Sequence, residues 1–200
     1  MENASFQFLQ KIKRGDFKMS EVRFHGRGGQ GVVTTSKILA NAFVLTGQFG
    51  ASFPMFGFER RGAPVTAFGR FSDKPVREKT QIYNPDILVV LDPSQRTWPT
   101  VFQGLLPGGM MLLNDSEDTG DISQENLRKL AVIDANKIAL EEIGLAIPNT
   151  VIVGAFARMS GLLGIEPCCD ALADYFSGKK LAANIGCVRR GFEEVEIFDL

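Results

Sequence analysis

The residues best suited to chemistry fall into two short segments. The first is Gly26-Arg27-Gly28-Gly29-Gln30-Gly31, in which Gly26, Gly28 and Gly31 keep the spacing G-x-G-x-x-G. Glycines at this spacing let the backbone turn sharply and approach a ligand, and a helix starting there presents unpaired N–H groups to a phosphate. The second segment is Phe56-Gly57-Phe58-Glu59-Arg60-Arg61-Gly62-Ala63-Pro64-Val65. Two adjacent guanidiniums suit bidentate contact with phosphate or carboxylate, and Glu59 could hold one of them in place. Each segment also has a structural reading: a tight turn that binds nothing, and a solvated loop with an internal ion pair.

A loop of this kind works only when a strand delivers it and a helix follows it, and both are present. Glu21 to His25 alternate apolar and polar residues as a strand. From Gln30 to about Thr46 the period becomes helical, with Val32, Ser36, Leu39 and Phe43 on one face and Thr34, Lys37 and Asn41 on the other. Gly47 is a helix terminator, and Phe49 to Phe53 is a second strand. A dinucleotide fold usually places Asp or Glu at the end of that strand to hold a ribose, whereas here the first acid is Glu59. That weakens a nicotinamide or flavin reading.

Further strands are expected at Val65 to Phe71, at Ile87 to Leu91, at Met110 to Leu113 and at Ala131 to Ile133. The run Ile87-Leu88-Val89-Val90-Leu91 is apolar throughout, as in a strand covered on both faces, so it is expected to be central. Helices are expected around Gln95 to Gly104, from about Asn136 to Ile143, from Thr150 to Leu163, from about Cys168 to Phe176 and from Lys179 to about Glu194. Strands alternate with helices early and helices dominate late. This order predicts an α/β fold: a Rossmann-like, mostly parallel sheet flanked by helices, with a C-terminal helical layer.

In such a sheet the carboxyl ends of the strands form the ligand edge, and Asp92, Asn114 and Asp134 each follow a strand there. They either line a crevice with the glycine loop or cap the following elements. Pro148-Asn149-Thr150 reads first as a helix cap and second as a ligand contact. His25, the only histidine, reads as structural, because no nucleophile is placed beside it by sequence. Cys168, Cys169 and Cys187 fit neither the paired spacing of a zinc site nor the four thiolates of an iron–sulfur cluster. No catalytic or metal-ligating residue is assigned to the chain.

Composition excludes other classes. The 200 residues are most simply one domain, residues 19–200, after an N-terminal extension at 1–18 that is either a mobile terminus or a short helix from Phe6 to Ile12. A formal charge of −1 argues against a nucleic-acid partner, and 44% apolar with 22% charged residues argues against disorder. No apolar run is long enough for a membrane span, and no signal-peptide core begins the chain, so a cytoplasmic location is expected. Phe49, Phe53, Phe56, Phe58, Phe68 and Phe71 crowd around the charged loop, which suggests a surface covered by another subunit.

Taken in order, Arg23-Phe24-His25-Gly26-Arg27-Gly28-Gly29-Gln30-Gly31, the segment Phe56 to Val65, Asn84-Pro85-Asp86, Pro107-Gly108-Gly109, Ile133-Asp134-Ala135 and Pro148-Asn149-Thr150 resemble the gamma subunit of the 2-oxoacid:ferredoxin oxidoreductases, the group that includes pyruvate synthase. The resemblance implies a complex that decarboxylates a 2-oxoacid, passes electrons to ferredoxin and joins the acyl group to coenzyme A. Thiamine diphosphate, magnesium and [4Fe–4S] clusters are then expected on partner subunits of alpha, beta and delta type. The Glu-Arg-Arg-Gly-Ala-Pro-Val form looks closest to the pyruvate and branched-chain types, with 2-oxoglutarate or aryl 2-oxoacids as alternatives. Coenzyme A becomes the candidate anion, with Gly26, Gly28, Gly29, Gln30, Gly31, Arg60, Arg61 and Asn149 as candidate contacts. A dinucleotide-binding oxidoreductase and a structural adaptor remain the rival classes.

Overall fold

Ile87, Val89 and Leu91 pack into one hydrophobic cluster and Leu88 and Val90 into a second, on opposite faces of one sheet. A strand with both faces apolar has no place except between two layers, and the computed structural model puts it there. The structure describes residues 19–55, 61–116 and 122–200. Its strands are β1 (Ser20–Arg27), β2 (Phe49–Pro54), β3 (Pro64–Ser72), β4 (Ile87–Val90), β5 (Gly109–Asn114), β6 (Leu127–Ile133) and β7 (Glu196–Asp199). They form one sheet in the order β2-β3-β1-β4-β5-β6-β7.

The parallel block comprises β1, β4, β5 and β6, and the pairs β2/β3, β3/β1 and β6/β7 are antiparallel. The α/β sheet is therefore mixed, parallel at its centre and antiparallel at its margins. For β2/β3 chain length explains the antiparallel pairing, because parallel neighbours need a long crossover and the stretch between these two strands is too short to supply one.

The larger cluster lies under the helices α1 (Val32–Leu45), α3 (Ala135–Ile143), α4 (Asn149–Ser160), α5 (Ile165–Asp170) and α6 (Gly178–Glu194); the short α2 (Pro99–Phe102) covers the other face. In α1, Val32, Ser36, Leu39 and Phe43 are all buried, as their spacing predicts. The expected C-terminal helical layer is formed by α4 and α6, whose backbones approach closely at two glycines. A Cβ on Gly154 would lie 1.9 Å from the Val188 carbonyl oxygen, and one on Gly191 would lie 2.1 Å from that of Val151. Thr150 Oγ1 donates to Asn184 Oδ1 at 3.0 Å in the same buried seam.

Other expected elements change as well: the helix expected from about Cys168 to Phe176 is the α-helix Ile165–Asp170 followed by a 3-10 turn at Ala171–Asp174. The helix expected over Gln95 to Gly104 is two fragments, a 3-10 turn at Pro93–Gln95 and the single turn of α2. Trp98 is extended because the residue before a proline is pushed out of the helical region. β6 begins at Leu127 rather than Ala131, its first half disguised by Arg128 and Lys129. β7 was not expected; four exposed residues on an edge carry little periodicity. The short helix considered for residues 6–12 lies outside the described residues.

Candidate functional site

β1 ends in the glycine loop, at the carboxyl edge of the parallel block, and α1 leaves from it. Gly31 is the helix N-cap with φ +79°, and no side chain caps the helix. The first helical hydrogen bond runs from the Thr35 N–H to the Gly31 carbonyl at 2.8 Å, so the N–H groups of Val32 to Thr34 precede any intrahelical partner. No acidic side chain occupies this first turn. The peptide dipoles therefore leave partial positive charge at the loop. Gly29, at φ +100°, has no atom within 4 Å of where a Cβ would stand, which leaves open space above the backbone.

Other groups of the loop are committed internally. The Gly28 N–H donates to the Ala63 carbonyl at 2.9 Å, and Gly28 accepts from the Gly62 N–H at 3.1 Å, so Gly28 and Arg61 form a parallel bridge. Gln30 closes the turn on itself: its N–H donates to the Arg27 carbonyl at 3.1 Å and its Oε1 accepts from the Arg27 N–H at 2.7 Å. The Gly26 carbonyl accepts from Gln95 Nε2 at 3.0 Å, and a Cβ on Gly26 would strike Val32 Cγ2 at 2.7 Å.

Two candidates far apart in sequence meet this loop. Asn149, at the start of α4, packs on Gly31 and accepts from the Thr150 N–H through Oδ1 at 2.8 Å; its carbonyl accepts from Thr35 Oγ1 at 3.2 Å. Two helix N-termini thus converge on one spot. Arg61 is exposed beside Gly28. Arg60, Glu59, Phe58 and Phe56 lie outside the described residues.

The carboxyl-edge polar residues resolve as scaffold. Asp92 accepts from the Ser94 N–H at 3.1 Å and Asp134 from the Lys137 N–H at 3.0 Å, each capping the element that follows. Asn114 ties β4 to α3, donating to the Leu91 carbonyl at 2.8 Å and accepting from the Ala135 N–H at 2.9 Å.

His25 is structural, as expected. It is 8% exposed, and its Nε2 accepts from Arg23 Nε at 3.0 Å, which assigns the ring proton to Nδ1. Burial, then the neighbouring Arg23 charge, pulls its pKa down to about 3. Arg23 donates through Nη2 to the Val101 and Gln103 carbonyls at 2.8 and 2.7 Å, and burial lowers its own pKa.

Arg27 is the residue that sequence reasoning passed over. Its Nε pairs with Asp92, Nη1 donates to the Gly62 carbonyl at 3.1 Å, Nη2 donates to Ser94 Oγ at 3.0 Å, and its guanidinium lies 5.8 Å from the centre of the Trp98 ring. Its place inside the glycine run was the one available signal. Among the described aromatics of the Phe49 to Phe71 stretch, Phe68 and Phe71 are core, and Phe49 is 39% exposed. Phe49, Phe53, Val44, Val76 and Lys79 line a groove of about 420 Å³ along the edge strand β2.

Among the described residues no group of histidine, cysteine or acidic side chains is arranged to hold a metal ion, and no helix is long and apolar enough to cross a membrane.

Residues 21–194 match the family model for pyruvate ferredoxin/flavodoxin oxidoreductase. The chain is 50% identical over 186 residues to the pyruvate/ketoisovalerate oxidoreductases common subunit gamma of Thermococcus litoralis, covering 91% of this chain and all of that one. It is 47% identical to pyruvate synthase subunit PorC of Methanothermobacter thermautotrophicus, covering 89% and 97% of the two chains. The crystal structure of pyruvate oxidoreductase subunit PORC from Thermotoga maritima superimposes with a TM-score of 0.81 at 35% identity, covering 91% of this chain and 99% of that one.

Proposed function

The chain belongs to the pyruvate ferredoxin/flavodoxin oxidoreductase family as a gamma subunit of the 2-oxoacid:ferredoxin type, and from that premise we propose that it supplies the coenzyme A phosphate site of a complex converting pyruvate to acetyl-coenzyme A. Thiamine diphosphate, magnesium and [4Fe–4S] clusters belong on partner subunits of alpha, beta and delta type, with ferredoxin as acceptor and the cytoplasm as location. The names of the Thermococcus and Methanothermobacter relatives support pyruvate first and 2-oxoisovalerate second.

One observation carries the reading: open, left-handed Gly29 stands at the uncapped N-terminus of α1, with Asn149 and exposed Arg61 at its sides. A pyrophosphate there meets the α1 dipole and the free N–H groups of Gly29 and of the first helical turn. Gly28, whose N–H serves Ala63, contributes by letting the two segments approach, and Gly26 and Gln30 shape the turn. Arg60 and Arg61 neutralise phosphate charge and position the thiol arm.

In the assembled enzyme, Arg60→Ala/Arg61→Ala is expected to raise the KM for coenzyme A about tenfold, the loss of roughly one charge-assisted hydrogen bond, while decarboxylation of the 2-oxoacid persists. An unchanged KM overturns the assignment. It would favour a structural adaptor instead, a reading supported by the hydrogen bonds that the loop already makes within the chain.

A further inference from the structure

By residue type, Arg27 is the side chain in the glycine loop best suited to an anion, and its guanidinium is already engaged on every nitrogen. Nε faces Asp92, Nη1 the Gly62 carbonyl and Nη2 the Ser94 hydroxyl. These partners come from two segments separated in sequence, the turn before β3 and the 3-10 turn after β4. Asp92 is itself fixed, because its other oxygen caps Ser94 and its side chain is only 9% exposed. The guanidinium also lies 5.8 Å from the centre of the Trp98 ring.

The turn at Arg61-Gly62-Ala63 is therefore gripped twice. The backbone of Gly28 holds it through one donated and one accepted hydrogen bond, and the Arg27 side chain holds the Gly62 carbonyl from the other direction. Backbone pairing alone fixes one line of the turn and leaves it free to pivot about that line. The guanidinium fork removes the pivot, since its three donors are coplanar and anchored to a buried carboxylate.

We propose that Arg27, oriented by Asp92, is a positioning residue that locks the turn bearing Arg61 against the glycine loop and thereby sets the affinity of this site for the phosphates of coenzyme A. The proposal rests on the coenzyme site described above. Arg27 touches no phosphate itself and acts through the placement of Arg61. A lysine at this position keeps a charge opposite Asp92 but cannot reach Gly62 and Ser94 together.

The test uses the assembled oxidoreductase carrying Arg27→Lys, with Ser94→Ala as a milder variant that removes one anchor and leaves the ion pair. Hydrogen exchange of the Gly28 and Gly62 amides is expected to quicken about tenfold in Arg27→Lys, and the KM for coenzyme A to rise by a similar factor, as for one charge-assisted hydrogen bond. The KM for the 2-oxoacid should stay within about twofold, and Ser94→Ala should show the same pattern at about threefold, the loss of a neutral anchor. Unchanged exchange overturns the positioning role. Faster exchange with an unchanged KM for coenzyme A also overturns it, provided Arg60→Ala/Arg61→Ala does raise that KM. If neither variant moves the KM, the coenzyme site falls, and this proposal with it.

Discussion

The side chain of Asn149 lies against Gly31 so closely that a Cβ added to the glycine would come within 2.7 Å of the Cβ of Asn149. This contact joins the N-terminus of α1 to that of α4, and it leaves Gly31 in a left-handed conformation that only glycine adopts without strain.

Gly31→Ala is accordingly expected to lower the stability of the chain by about 1–3 kcal/mol through backbone strain, before any effect of the collision. At this chain length, that corresponds to a fall in melting temperature of roughly 2–4 °C per kcal/mol. Thermal unfolding of the variant beside the parent checks it; an unchanged melting temperature would mean that the loop relaxes without cost.

The crossing of α4 and α6 predicts a larger effect. At Gly154 and Gly191 the obstructing atoms are backbone carbonyl oxygens, which cannot rotate away as a side chain would. Gly154→Ala should cost about 3 kcal/mol or more, at the upper end for overpacked sites. Gly144→Ala is the control: no atom lies within 4 Å of its Cβ position, and its cost comes from a φ of +73° alone. Chemical denaturation of the two variants should separate packing from conformation.

His25 predicts an acid limb in stability. Its pKa is about 3 in the folded protein against 6.5 for the ordinary group, so the unfolded chain binds the extra proton. The contribution of the neutral, buried ring is whole above about pH 6.5 and is lost as pH falls toward 3, by up to about 1.4 kcal/mol per pH unit. His25→Asn, which keeps an acceptor for Arg23, should flatten that slope in denaturant midpoints measured across this range. A slope equal to the parent's would show that other groups carry the acid sensitivity.

The three thiols should be silent in the native protein. Cys168 and Cys187 are fully buried and Cys169 is 5% exposed. Burial, reinforced by neighbouring Cys169, pushes the Cys168 pKa up to about 12, and burial raises the other two as well. Alkylation near pH 8 followed by mass spectrometry should find none modified before unfolding and all three after it. Rapid modification of any one in the native state would contradict this burial.

The central fold was legible wherever a residue's environment is written in its neighbours. The apolar run at Ile87 to Leu91 announced a strand covered on both faces, and the shift from alternation to helical period at Gly31 located β1, the loop and α1 to within two residues. What stayed hidden depends on partners remote in sequence. Nothing local distinguishes an Arg27 that meets a ligand from one that meets Asp92 and Gly62, and Asp92, Asn114 and Asp134 read equally as ligand edge and as caps until the caps are seen. The interruption at Trp98 was legible in Pro99, because the residue before a proline is disfavoured in a helix.

The strand order also dictates how this chain can be born. Among the described strands β1 is the first to be synthesised, yet it ends flanked by β3 and β4, and β7 returns to pair with β6. Strand β1 must wait, with both edges unpaired, until β3 and β4, well beyond α1, have been synthesised. Non-local pairing of this kind is slow and leaves unpaired strand edges in the interim, so the docking of β1 between β3 and β4 is expected to set the pace at which the sheet forms.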